Sequence, residues 1–175
     1  MKQARVLEKT ELRRVLDHIA TRPHAQRNRC LVLMSFKCGL RAKEISSLRY
    51  QDVINSDGTI KDEIYLAPEQ TKGKHSRTIY VNTKMRKELA DYVAAVPPKH
   101  MDWALFATQK NPKRGFSPNT LVQFFHTLYE NCGISGASSH SGRRSFCTQL
   151  CNSGVSIQHI QRLAGHRDIQ TTAQY

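Results

Sequence analysis

From Ser138 to Tyr175 the chain reads SSHSGRRSFCTQLCNSGVSIQHIQRLAGHRDIQTTAQY, and its polar residues are tied to an apolar period. Arg143, Cys147, Leu150 and Cys151 fall at the spacing of one buried helical face, and His140 lies three residues before Arg143 on that side. An arginine at the head of an apolar stripe is costly to desolvate unless an anion meets it. Gly154 then breaks this helix, expected over 140–151, and a second follows over 156–164. Gly165 closes that one and leaves His166 in the turn. Asp168 is placed to cap a last short helix running towards Tyr175.

Upstream, the periodicity predicts further helices. Thr10 and Glu11 suggest the cap of a first one, with Leu12, Val15, Leu16 and Ile19 inward. A core helix follows over 24–38, with Leu31, Leu33, Met34 and Cys38 inward, and Gly39 sits where a helix C-cap is expected. A short helix over 41–48 aligns Arg41, Glu44, Ile45 and Leu48 on one face; by itself, Arg41–Glu44 reads as an ordinary surface pair. Asn55, Asp57 and Gly58 mark a turn. After it, EIYLAPEQTKGKHSRTIYV alternates as two strands around a turn near Gly73. Lys72, Lys74, His75 and Arg77 make that hairpin tip basic, suited either to protecting a solvated edge or to entering a DNA groove. A helix over 83–96 turns Leu89, Tyr92, Val93 and Val96 inward, and Pro97 and Pro98 stop it. Trp103, Leu105 and Phe106 anchor a long loop. Ser117 and Pro118 open a helix with Leu121, Phe124, Phe125 and Leu128 inward. The fold class expected is mixed α+β, mainly helical, with a small antiparallel sheet packed on a helical bundle.

The 175 residues suit one domain with a sizeable core. A net charge of +13 favours polyanionic partners, nucleic acid above all, through salt-sensitive phosphate contacts. Five cysteines, without a CxxC pair, read as reduced thiols. Cys147, Cys151 and His140 lack the fourth ligand of a zinc site, so no metal is expected. No apolar run reaches membrane-spanning length.

Arg41, Lys72, the His140/Arg143 pair, His166 and Tyr175 thus supply phosphate chemistry from five segments. The segments GLRAKEISSL, TKGKHSRTIYV, HSGRRSFCTQL and LAGHRDIQTTAQY, in that order, resemble the catalytic domain of the tyrosine recombinases, or phage integrases. The resemblance covers essentially the whole chain. It implies cleavage and rejoining of DNA strands through a 3′-phosphotyrosyl link, with no metal and no ATP. By this resemblance Arg41 and Arg143 grip the non-bridging oxygens of one phosphate, and Tyr175 is the nucleophile. Lys72 protonates the leaving 5′ oxygen, while His140 and His166 bond the phosphate and assist proton removal from Tyr175. Glu44 supports these groups, and Lys74, His75 and Arg77 contact DNA.

The resemblance also implies double-stranded DNA as partner and a tetramer on DNA during synapsis, with a monomer in its absence. A bacterial or phage origin and a cytoplasmic, nucleoid-associated location follow from it. The expected organisation is one catalytic domain over 1–175, without the family's N-terminal clamping domain or its segment beyond the nucleophile. Two other readings stand beside it. One is a catalytically silent DNA-binding module, since the helices around Gly154 resemble a helix-turn-helix. The other is a nicking-closing activity of the type IB topoisomerase kind.

Overall fold

In the computed structural model, which describes residues 4–71, 73 and 75–175, the organising element is a helix buried on nearly every side. This is α2 (Ala25–Cys38), whose run from Cys30 to Phe36 is wholly enclosed. One inward face is expected from its sequence; enclosure of the whole run from Cys30 to Phe36 instead marks a central helix. Against it pack α1 (Lys9–Ala20), α5 (Thr83–Ala95) and α7 (Ser141–Asn152). Gly39 ends α2 in the left-handed region (φ 65°), as expected.

The remaining helices are α3 (Ala42–Ser47), α4 (Tyr50–Val53), α6 (Pro118–Asn131), α8 (Ile157–Ala164) and α9 (Ile169–Thr172). Strands β1 (Glu63–Leu66) and β2 (Arg77–Tyr80) pair antiparallel, Leu66 opposite Arg77 and Glu63 opposite Tyr80. Ile64, Leu66 and Ile79 cover the core from the sheet's inner face, whereas Tyr65 and Tyr80 face solvent. This is the mainly helical α+β architecture the sequence predicts, with its small sheet on a helical bundle.

Four local expectations are corrected. The cap of α1 is Glu8, not Thr10: Glu11 reaches back to accept the Glu8 N–H at 3.0 Å, closing a capping box two residues earlier. The tight hairpin turn near Gly73 is a wider connection over 67–76 containing a 3₁₀ turn at Pro68–Gln70. Val96 lies just past α5 and is 45% exposed, because the chain leaves the helix before that position can face inward. The stretch after Leu48, given no element from sequence, forms α4, with the Tyr50 N–H bonded to the Trp103 carbonyl at 3.1 Å.

The long loop before α6 is pinned where its apolar residues suggest. Leu105 donates to the Leu48 carbonyl at 2.8 Å and accepts from the Tyr92 hydroxyl at 2.7 Å. Ser117 caps α6 by accepting the Thr120 N–H, and Asp168 caps α9 by accepting that of Gln170. A second, smaller apolar cluster of Cys147, Ile160 and Ala164 sits between α7 and α8, with Leu150 and Tyr175 against it. All five cysteines are free thiols. Among the described residues no helix is long and apolar enough to cross a membrane, and no group of three or more His, Cys, Asp or Glu is arranged to hold a metal ion.

Candidate active site

Three arginines from three elements meet at the C-terminal end of α8. A helix end carries unpaired carbonyls and partial negative charge, so it draws cations. Arg143, on the first turn of α7, donates to the Gly39 carbonyl at 2.7 Å and to the Ala164 carbonyl. Arg77, on β2, donates to the carbonyls of Ala164 and Leu163. Arg41, at the N-cap of α3, reaches the Gly165 carbonyl at 3.4 Å.

Between these guanidinium groups lies the one carboxylate of the cluster. Glu44 is fully buried at the third position of α3, and its side chain folds back on the helix start. Oε2 accepts the Arg41 backbone N–H at 2.8 Å and Oε1 the Arg41 guanidinium at 3.0 Å. Oε2 also accepts from Arg77 at 3.1 Å. Three fixed positive charges against one negative leave the cluster under-neutralised. Burial, and then the neighbouring Arg41 and Arg77, push the Arg143 pKa down to about 9.

His166 is set by the helix end. Gly165 takes the left-handed conformation (φ 61°), and the His166 N–H returns to the Gln161 carbonyl at 3.0 Å, a Schellman closure. The ring is buried. Its Nδ1 lies 2.9 Å from Thr172 Oγ1, and it stacks on Tyr175 with centroids 5.8 Å apart and planes 4° from parallel. Burial first, then Arg143, Arg41 and Arg77, push its pKa down to about 4, so at neutral pH the imidazole is uncharged. The Tyr175 pKa is pushed above its ordinary value, chiefly by burial, while Arg143, Arg144 and Arg41 pull the other way. Its ring packs on the cluster that holds Cys147, and the Arg144 guanidinium lies 5.2 Å from its ring centroid.

Arg41, His140, Arg143, His166 and Tyr175 therefore line one cavity of about 270 Å³, together with Ala4, Arg144, Thr171 and Gln174. A neighbouring cavity of about 700 Å³ shares Arg41 and His166 and extends past Glu44, His75 and Arg167. Such an array can hold a singly charged phosphodiester by two forked guanidiniums, with a phenol and a neutral imidazole alongside.

The model of the Phage integrase family matches residues 5–175. The chain belongs to the phage integrase family. A tyrosine recombinase of Pseudothermotoga lettingae is 28% identical over 151 residues, 86% of this chain and 49% of that protein. The crystal structure of XerA recombinase matches 98% of this chain and 60% of its own, with a TM-score of 0.77 at 20% identity. The Tn1549 transposon integrase, solved in complex with transposon right-end DNA, matches 99% of this chain and 62% of its own, with a TM-score of 0.74 at 18% identity. The chain spans about half the length of the curated relatives it first matches.

Within this phage integrase fold the other site expectations fare differently. Lys72 and Lys74 lie outside the described residues. His75 is exposed at the mouth of the larger cavity. The Arg77 side chain is only 8% exposed and turned inward on Glu44. Its alternation with Ile79 and Val81 was the available signal, outweighed by the basic residues before it. Thr172 and Arg144 were missed. The doubled arginine of HSGRRS hinted at Arg144, but nothing in the sequence singles out Thr172, whose contact depends on how α9 folds back.

Proposed function

We propose that this chain is the catalytic unit of a site-specific DNA recombinase, cutting and rejoining strands through a 3′-phosphotyrosyl intermediate. The observation that carries the reading is the convergence of Arg41, Arg143, His140, His166 and Tyr175 on one cavity from segments up to 134 positions apart in the chain. A DNA-binding module has no use for a tyrosine beside two arginines and a neutral histidine.

In this reading the Arg41 and Arg143 guanidiniums hold the two non-bridging oxygens of the scissile phosphate and stabilise the charge that builds on them. Tyr175 attacks phosphorus through its hydroxyl oxygen; the new O–P bond forms as the bond to the 5′ oxygen breaks. Lys72 gives the leaving oxygen its proton. The phenol proton passes to His166, directly or through water. Phosphate binding supports that transfer, because a bound anion offsets the arginine repulsion that adds to burial in lowering the His166 pKa. His140, at the start of α7, donates to the phosphate. Glu44 keeps Arg41 in place, and His75 and Lys74 contact the flanking backbone. Rejoining is the reverse with a different 5′ hydroxyl, so the bond energy is conserved.

The reading extends to double-stranded DNA as substrate, to a tetramer on synapsed DNA and a monomer without it, and to action at the nucleoid of a bacterial or phage-infected cell. It takes residues 1–175 as one catalytic domain. The structure of a DNA-bound neighbour, the net charge and the family membership support DNA as the partner.

The test uses nicked duplexes randomised across the nick region and carrying 5′-bridging sulfur, which traps cleavage. A denaturant-resistant protein–DNA adduct is expected in wild type and absent in Tyr175→Phe; sequencing of trapped strands gives the site. With ordinary oxygen at the bridge, Lys72→Ala is expected to lose the adduct and the sulfur substrate to restore it. Duplex binding without any adduct would establish the silent-binder reading instead, and plasmid relaxation without strand exchange the topoisomerase-like one.

A further inference from the structure

Strand alternation puts Arg77 on the inner face of β2 with Ile79, opposite Leu66. A guanidinium there is stripped of water, and its surroundings replace that water on two sides. One arm meets Glu44 on α3, and the other meets the last carbonyls of α8. The fit to the turn after α8 is close. A Cβ on Gly165 would lie 2.6 Å from Arg77 Cδ and 2.7 Å from its Nη1, so the turn that aims His166 is shaped around this side chain.

Arg77 also decides how Glu44 is shared. Arg41 has one guanidinium nitrogen on Oε1, while Oε2 is taken by the Arg41 backbone N–H and by Arg77. Left alone with a buried carboxylate, an arginine side chain prefers the bidentate fork, with both terminal nitrogens on both oxygens. Occupying Oε2 blocks that closure and leaves the far arm of Arg41 facing Gly165 and the cavity.

We propose that Arg77 is a positioning residue: by dividing the Glu44 carboxylate with Arg41 and bracing the His166 turn, it keeps Arg41 and His166 turned towards the same phosphate. This rests on the recombinase reading for its catalytic consequence but not for its structural one. It differs from a DNA-contact role in that Arg77 never touches DNA and acts through its two neighbours.

Two variants of this chain, Arg77→Met and Arg77→Lys, test it in two arms. The first arm needs no DNA. The His166 ring, followed by its NMR Cε1–H signal, titrates near 4 in wild type and shifts upward in Arg77→Met, because a facing charge is gone and the turn is unbraced; burial, Arg143 and Arg41 keep it below the ordinary value. Arg77→Lys keeps the charge and stays near wild type. The second arm uses the sequences recovered with the trapping substrate. Duplex binding stays at the wild-type level in both variants, while single-turnover adduct formation falls roughly a hundredfold in Arg77→Met, the scale of a catalytic group misplaced by about 1 Å, and partly recovers in Arg77→Lys. Should Arg77→Met fail to fold, Arg77→Lys alone decides: loss of the fork without loss of charge lowers the adduct rate while the His166 titration holds. Adduct formation at the wild-type rate, a loss accounted for wholly by weaker DNA binding, or an unmoved His166 in a folded Arg77→Met would each overturn the proposal. A wild type that forms no adduct would defeat the recombinase reading, and the first arm would still judge the bracing of His166.

Discussion

Arg143 shows how much of the site was legible from single residues. An arginine heading an apolar stripe called for an anion, and the side chain is indeed buried, held by two backbone carbonyls. The pairing of His140 with Arg143 three residues apart, and of Arg41 with Glu44, could be read from spacing because both lie within one helical turn. What could not be read is the company each keeps across the fold. Glu44 serves two arginines, its own neighbour Arg41 and Arg77, 33 positions further along the chain, and no local pattern announces that. His166 carries a testable consequence of such crowding. Its pKa is about 4 in the fold and near 6.5 when unfolded, so between those values the unfolded chain binds a proton that the fold refuses. Stability therefore falls as pH drops from 6.5 to 4 and this contribution levels off below 4. Denaturant midpoints compared between wild type and His166→Asn should show the extra slope only in wild type. A bound phosphate analogue such as vanadate should move that slope to higher pH, since it offsets the arginine charge.

At the scale of elements, helices with marked periodicity and good caps were found from sequence to within a residue or two, as with Ser117 before α6 and Gly165 after α8. Errors gathered where tertiary packing overrides pattern: the all-round burial of α2, the early start of α1, and the widened connection between β1 and β2. The contact of α7 on α2 governs the site directly. Two glycines allow it, one on each side. A Cβ on Gly39 would lie 2.5 Å from Phe146 Cδ1, and one on Gly142 would lie 2.4 Å from Ser35 Oγ and 2.8 Å from its Cβ. The Gly142 neighbour is a short side chain on an enclosed helix and has little room to yield. Gly142→Ala gains about 1 kcal/mol of helix propensity but meets an overpacking cost of roughly 1–3 kcal/mol. A net loss of up to about 2 kcal/mol is expected in urea unfolding. Because Arg143 is the next residue, the adduct rate should fall by more than that change in folded fraction explains, on the order of tenfold or beyond.

For the molecule as a whole, the basic excess was the plainest signal and the least specific. It pointed to nucleic acid but could not say which of the positive side chains meet solvent and which, like Arg77 and Arg143, are built into the interior. The exposed remainder sets a prediction. Duplex affinity should fall steeply with salt, with a log–log slope of roughly −0.9 per phosphate contacted; about six contacts would cost ~10³ in affinity between roughly 50 and 200 mM. Filter binding across that range measures it, and a flat response would remove the electrostatic account of DNA capture.

The lone carboxylate among three guanidiniums has one more consequence. The cluster carries a net positive charge in the interior, so any anion that binds it also adds to the stability of the folded chain. Selection for a sturdier free protein would therefore pull against anion binding here. Replacing Arg143 with an apolar residue relieves the repulsion among the guanidiniums and removes a charge that a bound anion would use.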